Sequence, residues 1–456
     1  MTLAEVAAVV GGEVDGDPAT TVTGAAFVDS RAPEAGGLFV AVAGERVDGH
    51  EYAAGAVADG AAAVLGSRPT GVPTVVVDDP VAALGRLARH VVDTLRPTVV
   101  ALTGSQGKTG TKDYLAHVLA VAGATVATRG NFNNELGVPL TVLRATEETR
   151  FLVVEMGARN LGNIAYLCEV APPSVAAVLN VGTAHVGEFG SREVIAQTKG
   201  EIVEALRPDG VAVLNADDEL VSAMRPRTLA RVLTFGSAGD VAWRAVEADD
   251  LGRPSFEMGY GGAWRRVTLT QSGAHQVANA CAAAALALGA GRPFDEVADA
   301  LTTAQATSPW RMQLHERADG VVVVNDAYNA NPDSMEAALH TLAVMGRRRG
   351  ARTVAVLGEM RELGDETRSG HRRVGRFAAE SGTDVVLTVG EVAADIADAA
   401  AAHDGWTGVA VRTAGRDEAL TWLRQNVAAG DVVLVKASRG AALELVADGL
   451  LEETLP

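Results

Sequence analysis

Runs of Val, Ile, Leu and Ala, four to eight residues long and rich in β-branched side chains, recur along the chain and alternate with stretches of helical spacing. Such runs read as strands buried on both faces, and the stretches between them as covering helices, which predicts an α/β protein. From the start to about residue 95 the runs are short (AAFVDSR, LFVAVAG, AAAVLG, TVVVDD) and separated by Gly-rich turns, giving a compact α/β unit. DTLRP at 93–97 ends a helix at a proline and reads as a linker.

Beyond it the rhythm lengthens. TVVALTG, ATVATRG, FLVVEMG, SVAAVLNVG and VAVLNADD, with helical stretches such as 108–122 and 192–206, predict a mainly parallel sheet. Residues 240–270 lose the pattern and predict an antiparallel excursion before a helix at 275–289. A third unit begins near SPWRM at 308–312. From 321 onward VVVVNDAYNANP, TVAVLGEM, DVVLTVG, VAVRT and DVVLVKAS alternate with helices as a Rossmann-like βαβ series. The expected domains are therefore 1–95, 96–310 and 311–456.

Length agrees, since 456 residues divide into about three domains of ordinary size. A net charge of -18 argues against broad contact with nucleic acid or an anionic membrane, so an anionic substrate has to be met locally. The two cysteines, Cys168 and Cys281, stand in unrelated settings and support neither a disulfide framework nor a Cys-based zinc site. MTLAEVAAVVGGEV lacks the basic region of a secretory signal, and no uncharged apolar run is long enough to span a bilayer, so the cytoplasm is expected.

The strongest chemical signal is TVVALTGSQGKTGTKDYLAHVL. A buried strand leads into Gly104, Ser105, Gln106, Gly107, Lys108 and Thr109 and then into a helix. Glycines let backbone N–H groups turn toward phosphate oxygens, the helix N-terminus adds positive dipole, Lys108 supplies a point charge, and the Thr109 hydroxyl suits magnesium. A Gly-rich turn with an exposed lysine is the alternative, and the strand before and helix after favour the phosphate loop. Leu102 stands where the common Gly-x4-Gly-Lys-Ser/Thr form has its first glycine, so the loop is a compact variant.

Downstream, FLVVEMG ends a strand in Glu155, and SVAAVLNVGTAHVGEFGS is expected to run as a strand to His185, ahead of a helix carrying Lys199. In parallel sheets the carboxyl ends of strands gather around the ligand, so Glu155 and His185 should face the loop. A carboxylate there suits a hard cation. Singly, each residue could equally be a helix-end anion, a loop histidine or a solvated lysine. No Ser-His-Asp or Cys-His arrangement is persuasive.

TGSQGKT, NFNNELGVP, VVEMGA, NVGTAHVGEFGS, QTKGEI, LNADD, HQVANA, NDAYNANPDSM, GEMRELG and VKASRG together resemble the Mur ligase family, which builds the peptide of bacterial cell-wall precursors, and its relative folylpolyglutamate synthase. DSR followed by LFVAVAGERVDGHEYAAGAVADGAAAV resembles the UDP-binding N-terminal domain of these ligases and extends the likeness over nearly the whole chain. DAYNANPDSM, GEMRELG and NFNNELGVPLT are most similar to the branch that joins D-alanyl-D-alanine to UDP-N-acetylmuramoyl-tripeptide. The resemblance implies that ATP phosphorylates the terminal carboxylate of the tripeptide, and that the dipeptide amine then attacks the acyl phosphate through a tetrahedral intermediate.

It also implies roles. Thr109 and Glu155 would hold one magnesium, and His185 and Lys199 would serve a second, with Lys199 carried as a carbamate. Lys108, His185 and Lys199 would be the catalytic set. Asn279 would meet adenine, although Gln276 stands where relatives often have Asn. Asp326 would bind ribose and Arg311 the γ-phosphate. Asn329 and Asn331 are the choice for the dipeptide, or else turn residues before Pro332. Lys436 would reach the nucleotide or dipeptide, or simply end a strand. Ser30 and Arg31 would bind the uridine diphosphate, His50 would be structural, and Asn133 and Asn134 would contact the muramoyl peptide or shape their loop.

The expected particle is a monomer whose site is complete only when the second and third domains close about a hinge at 308–315. Two rivals are a folate-branch ligase and a nucleotide-binding regulator without turnover. The UDP-type first domain speaks against one, and retention of Lys108, Thr109, Glu155, His185 and Lys199 against the other. The third residue of the tripeptide, diaminopimelate or lysine, is left open.

Overall fold

The computed structural model describes residues 1–44, 47–182, 191–305 and 307–452. Its first sheet has five strands in the spatial order Glu13–Asp15, Thr74–Val76, Ala63–Gly66, Leu38–Val40 and Ala26–Phe27, and only the first pairing is antiparallel. Ala63–Gly66 lies in the middle and is buried along its length, which is why it reads as an unbroken apolar run. Helix Pro80–Leu95 covers one face. Its start is fixed by Asp79, whose side chain accepts from the amides of Val81 and Ala82, and by Pro80 in the first turn. Its end is fixed by Arg96 in the left-handed region ahead of Pro97.

The central sheet has six strands, all parallel, in the order Arg231–Phe235, Val211–Asn215, Val175–Val178, Thr98–Thr103, Phe151–Glu155 and Thr125–Ala127. The chain leaves Thr98–Thr103 for one edge and returns for the other, so this strand sits at the point where strand order reverses. Ligand sites in such sheets lie in the crevice outside the carboxyl ends at that point. The predicted antiparallel excursion forms as Ala242–Ala248, Pro254–Tyr260 and Ala263–Thr268. Its Phe256, Met258 and Val267 are buried with the alanine-rich helix His275–Gly289 in one core. Small side chains let that helix lie close to the loop helix Lys108–Ala122.

The third sheet runs Gln313–Glu316, Val322–Asp326, Val432–Lys436, Thr353–Leu357, Val385–Val389 and Val409–Thr413. The last five are parallel, as the βαβ rhythm predicts, whereas Gln313–Glu316 adds antiparallel at the edge. Among the described residues no helix is long and apolar enough to cross a membrane. Cys168 and Cys281 are free and buried, and burial pushes the Cys168 thiol up to about 12.

Candidate active site

Gly107 has φ 75°, and a Cβ there would stand 2.4 Å from Asn279 Oδ1. Both the left-handed backbone and the close approach therefore require glycine. Asn279 also donates to Gln276 Oε1 at 3.0 Å, so the asparagine expected at adenine lies, with Gln276, against the phosphate loop and its helix. Lys108 Nζ donates to the Gly104 carbonyl at 2.7 Å.

Two loop amides are engaged within the chain: Ser105 and Gln106 donate to Asn180 Oδ1 at 3.0 and 2.9 Å. Asn180 Nδ2 returns to the Gln106 carbonyl at 3.1 Å. The remaining donors are those of the first helical turn, which have no intrahelical acceptor. Asn180 is a residue that pattern reading passes over. The expected strand to His185 is corrected here: it ends at Val178, because Asn180 turns in to brace the loop and the Val181 amide is taken by Asp218 Oδ2 at 2.8 Å. His185 lies outside the described residues.

Glu155 ends its strand 1% exposed, at the mouth of the loop. Its Oε2 accepts from Thr109 Oγ1 at 2.9 Å and its Oε1 from Asn133 Nδ2 at 2.7 Å. Thr109 and Glu155 thus meet as two hard oxygen donors, the chemistry magnesium prefers. Asn133 steers the carboxylate, while Asn134 accepts from the Gly137 amide at 2.9 Å and shapes the loop.

Lys199, on helix Arg192–Glu204, is 5% exposed and makes no ion pair with a described carboxylate. Burial, and then the neighbouring charge of Lys108, hold its ammonium well below the usual lysine range. Burial lowers Lys108 as well, opposed by Glu155 and Glu362 and reinforced by Arg311. Lys108, Lys199, Arg311, Glu155 and Glu362 are thereby brought into one electrostatic neighbourhood, in which the described cations outnumber the described carboxylates.

The facing wall comes from the third domain. Lys436, 2% exposed, donates to Asp326 Oδ2 at 2.6 Å and to the Asn329 carbonyl at 2.9 Å, and the Met312 amide takes Asp326 Oδ1 at 3.1 Å. Asn331 is the N-cap of helix Pro332–Arg349, accepting from the Ser334 amide at 2.9 Å. Asn329 Oδ1 accepts from the Ala330 amide at 2.9 Å. Both asparagines therefore carry turn chemistry. Gln106 reaches across the gap to Asp333 Oδ2 at 3.0 Å, a link between domains that no local pattern announces. The Arg311 guanidinium lies 4.1 Å from the centre of the Tyr328 ring.

In the first domain Ser30 and Arg31 are separate from this cluster. Arg31 is 88% exposed on its side chain and pairs bidentately with Asp29 at 2.9 and 2.8 Å, holding that carboxyl down to about 2. His50 is buried, bonded at Nδ1 to Asp48 at 2.6 Å and accepting at Nε2 from the Ser67 amide at 2.8 Å, which is a structural setting.

Three family models match the chain: the Mur ligase family catalytic domain at residues 26–92, the Mur ligase middle domain at 102–287, and the Mur ligase glutamate ligase domain at 310–439. The chain is 47% identical to the UDP-N-acetylmuramoyl-tripeptide--D-alanyl-D-alanine ligase of Mycobacterium tuberculosis, covering 99% of this chain and 98% of the relative. It is 36% identical to the Escherichia coli ligase of that name over the same shares. Among solved structures, MurF from Acinetobacter baumannii superposes with a TM-score of 0.88 at 32% identity, covering 99% of each chain. The MurF ligase from Thermotoga maritima in complex with ADP gives 0.81 at 32% identity, over 95% of this chain and 98% of that one.

Proposed function

The chain belongs to the Mur ligase family, and from that premise we propose that it joins D-alanyl-D-alanine to UDP-N-acetylmuramoyl-tripeptide at the expense of ATP. The observation that carries the reading is the cluster of Lys108, Lys199 and Arg311 around Glu155. A carboxylate becomes an acyl acceptor only once its oxygen is a leaving group, and bringing a phosphoryl group to it sets one anion against another. Cations fixed in a desolvated site offset that repulsion without reorganising during reaction. Lys108 and the free amides of the helix start bind the phosphates, and Arg311 meets the γ-phosphate from the other domain.

Thr109 and Glu155 fit a magnesium ion, held as their 2.9 Å contact suggests, with His185 and Lys199 serving a second. When bound, magnesium neutralises charge on the phosphoryl oxygens. Lys199 meets the requirement for a carbamate: a buried amine kept neutral is nucleophilic toward carbon dioxide, and the resulting anion faces Lys108. Turnover by enzyme stripped of carbon dioxide should then rise on adding bicarbonate.

Asn279 lies on the side proposed for adenine and Asp326 on that for ribose. Asn329 is the better placed of the two asparagines for the dipeptide, since Asn331 is committed as a cap. Ser30 and Arg31 are assigned to the uridine diphosphate and Asn133 to the muramoyl side through Glu155. Closure about 308–315 excludes water from the acyl phosphate. The enzyme works as a cytoplasmic monomer. A phosphate-release assay tests the reading: release should require ATP and both UDP-N-acetylmuramoyl-tripeptide and D-alanyl-D-alanine. Release with a folate and glutamate would sink it.

A further inference from the structure

Arg311 is held in an unusual way. It makes no ion pair with a described carboxylate, and its Nε is buried without a hydrogen-bond partner. Instead its guanidinium is stacked on the Tyr328 ring at 4.1 Å, close enough for a full cation–π contact. The backbone beside it is fixed just as firmly. Trp310 and Met312, on either side, have φ 57° and 50°, a region bulky residues rarely adopt. The Met312 amide is tied to Asp326, the Tyr328 amide donates to the Trp310 carbonyl at 3.2 Å, and the Trp310 ring carries the Arg439 guanidinium at 4.0 Å. Strain of this kind persists where surrounding contacts over-determine it, and it gathers at functional sites.

An arginine with a purely architectural task is ordinarily closed by a carboxylate. Here no described carboxylate pairs with it, and the charged neighbour in the phosphate loop is another cation, Lys108. A free guanidinium on four torsions would swing away from Lys108. The ring face opposes that swing, and the Nε stays without a hydrogen-bond partner. We propose that Tyr328 is the positioning residue for Arg311: its π face sets the plane of the guanidinium that meets the terminal phosphate of ATP. This rests on the reading of Arg311 as a phosphate contact. The Tyr328 phenol also interacts with Arg311, but the proposal assigns the positioning to the ring face.

The test is steady-state kinetics of the full chain, with ATP varied at saturating tripeptide and dipeptide. Tyr328→Met, which keeps bulk and removes the π face, should raise the KM for ATP about tenfold. Tyr328→Phe should stay within about twofold of the parent, because the face is kept. KM for the UDP-tripeptide should not move in either. In an Arg311→Ala background, Tyr328→Met should add less than about a further twofold, since a residue acting through Arg311 has nothing left to act on. Tyr328→Leu repeats the comparison should the Met variant fail to fold. A full tenfold effect in the Arg311→Ala background, or Tyr328→Phe as damaging as Tyr328→Met, overturns the proposal and leaves the reading of Arg311 standing. Arg311→Ala with unchanged KM and kcat overturns both.

Discussion

The two walls of the cleft handle buried charge in opposite ways. On the central-domain wall Lys108 and Lys199 are desolvated, repel one another, and find no carboxylate at ion-pair distance among the described residues. On the facing wall Lys436 is as deeply buried as Lys199 but is closed by Asp326 at 2.6 Å and by the Asn329 carbonyl. Burying an unpaired cation costs several kcal/mol, whereas a paired one with its hydrogen bonds made is tolerated. An arriving anion would complete the first arrangement. The second is complete already, and its task is to hold Asp326, Asn329 and the connector at Met312 in place.

Substitutions on the two walls should therefore separate activity from stability. The largest effect expected is from Lys108→Ala, which should lower kcat by at least about 10²–10³-fold while leaving thermal stability unchanged or raised. A large loss of stability would mean that Lys108 is a structural lysine. Lys199→Ala should follow, with a loss in kcat of about 10–100-fold and a fold that melts no earlier than the parent. Lys436→Ala should behave in the reverse sense. Leaving Asp326 without its partner should cost about 3–5 kcal/mol in urea denaturation, and a variant as stable as the parent would break the contrast. Asn331→Ala should lose about 1 kcal/mol as a missing helix cap, and Asn331→Ser should restore it. An unchanged dipeptide KM in both supports the cap, and a rise in both would return Asn331 to the dipeptide site. Smallest is Gln106→Ala, which removes the bridge to Asp333 and should raise the KM for ATP by about two- to threefold, read in the same kinetics.

The contrast also marks what the sequence could disclose. Strand, loop and helix at 98–122 were legible because the apolar run, the glycines and Lys108 lie within one local stretch. Helix His275–Gly289 and the antiparallel excursion before it were legible for the same reason. Glu155 could be placed because a strand end in a parallel sheet has a predictable destination. Asn180 could not: its work is to hold amides about 75 residues earlier, and nothing near it differs from an ordinary turn asparagine. The bridge from Gln106 to Asp333 spans 227 residues, and the stack of Arg311 on Tyr328 depends on two left-handed backbones that no composition signals. The edge strand Gln313–Glu316 is four half-polar residues with no clear alternation, and only its pairing with Val322–Asp326 makes it a strand. Asn331 shows the converse, a residue of suggestive company whose side chain caps its own helix, with a long 3.4 Å contact from Gln106 Nε2 besides.

The central claim is that the unpaired cations assemble to carry a phosphoryl group onto a carboxylate. Labelling the terminal carboxylate of UDP-N-acetylmuramoyl-tripeptide with oxygen-18 and analysing the inorganic phosphate after complete turnover with D-alanyl-D-alanine tests it directly. One labelled oxygen should appear in the phosphate, because the carboxylate oxygen leaves on it when the amine attacks. Phosphate free of label, with the amide formed, would contradict the account.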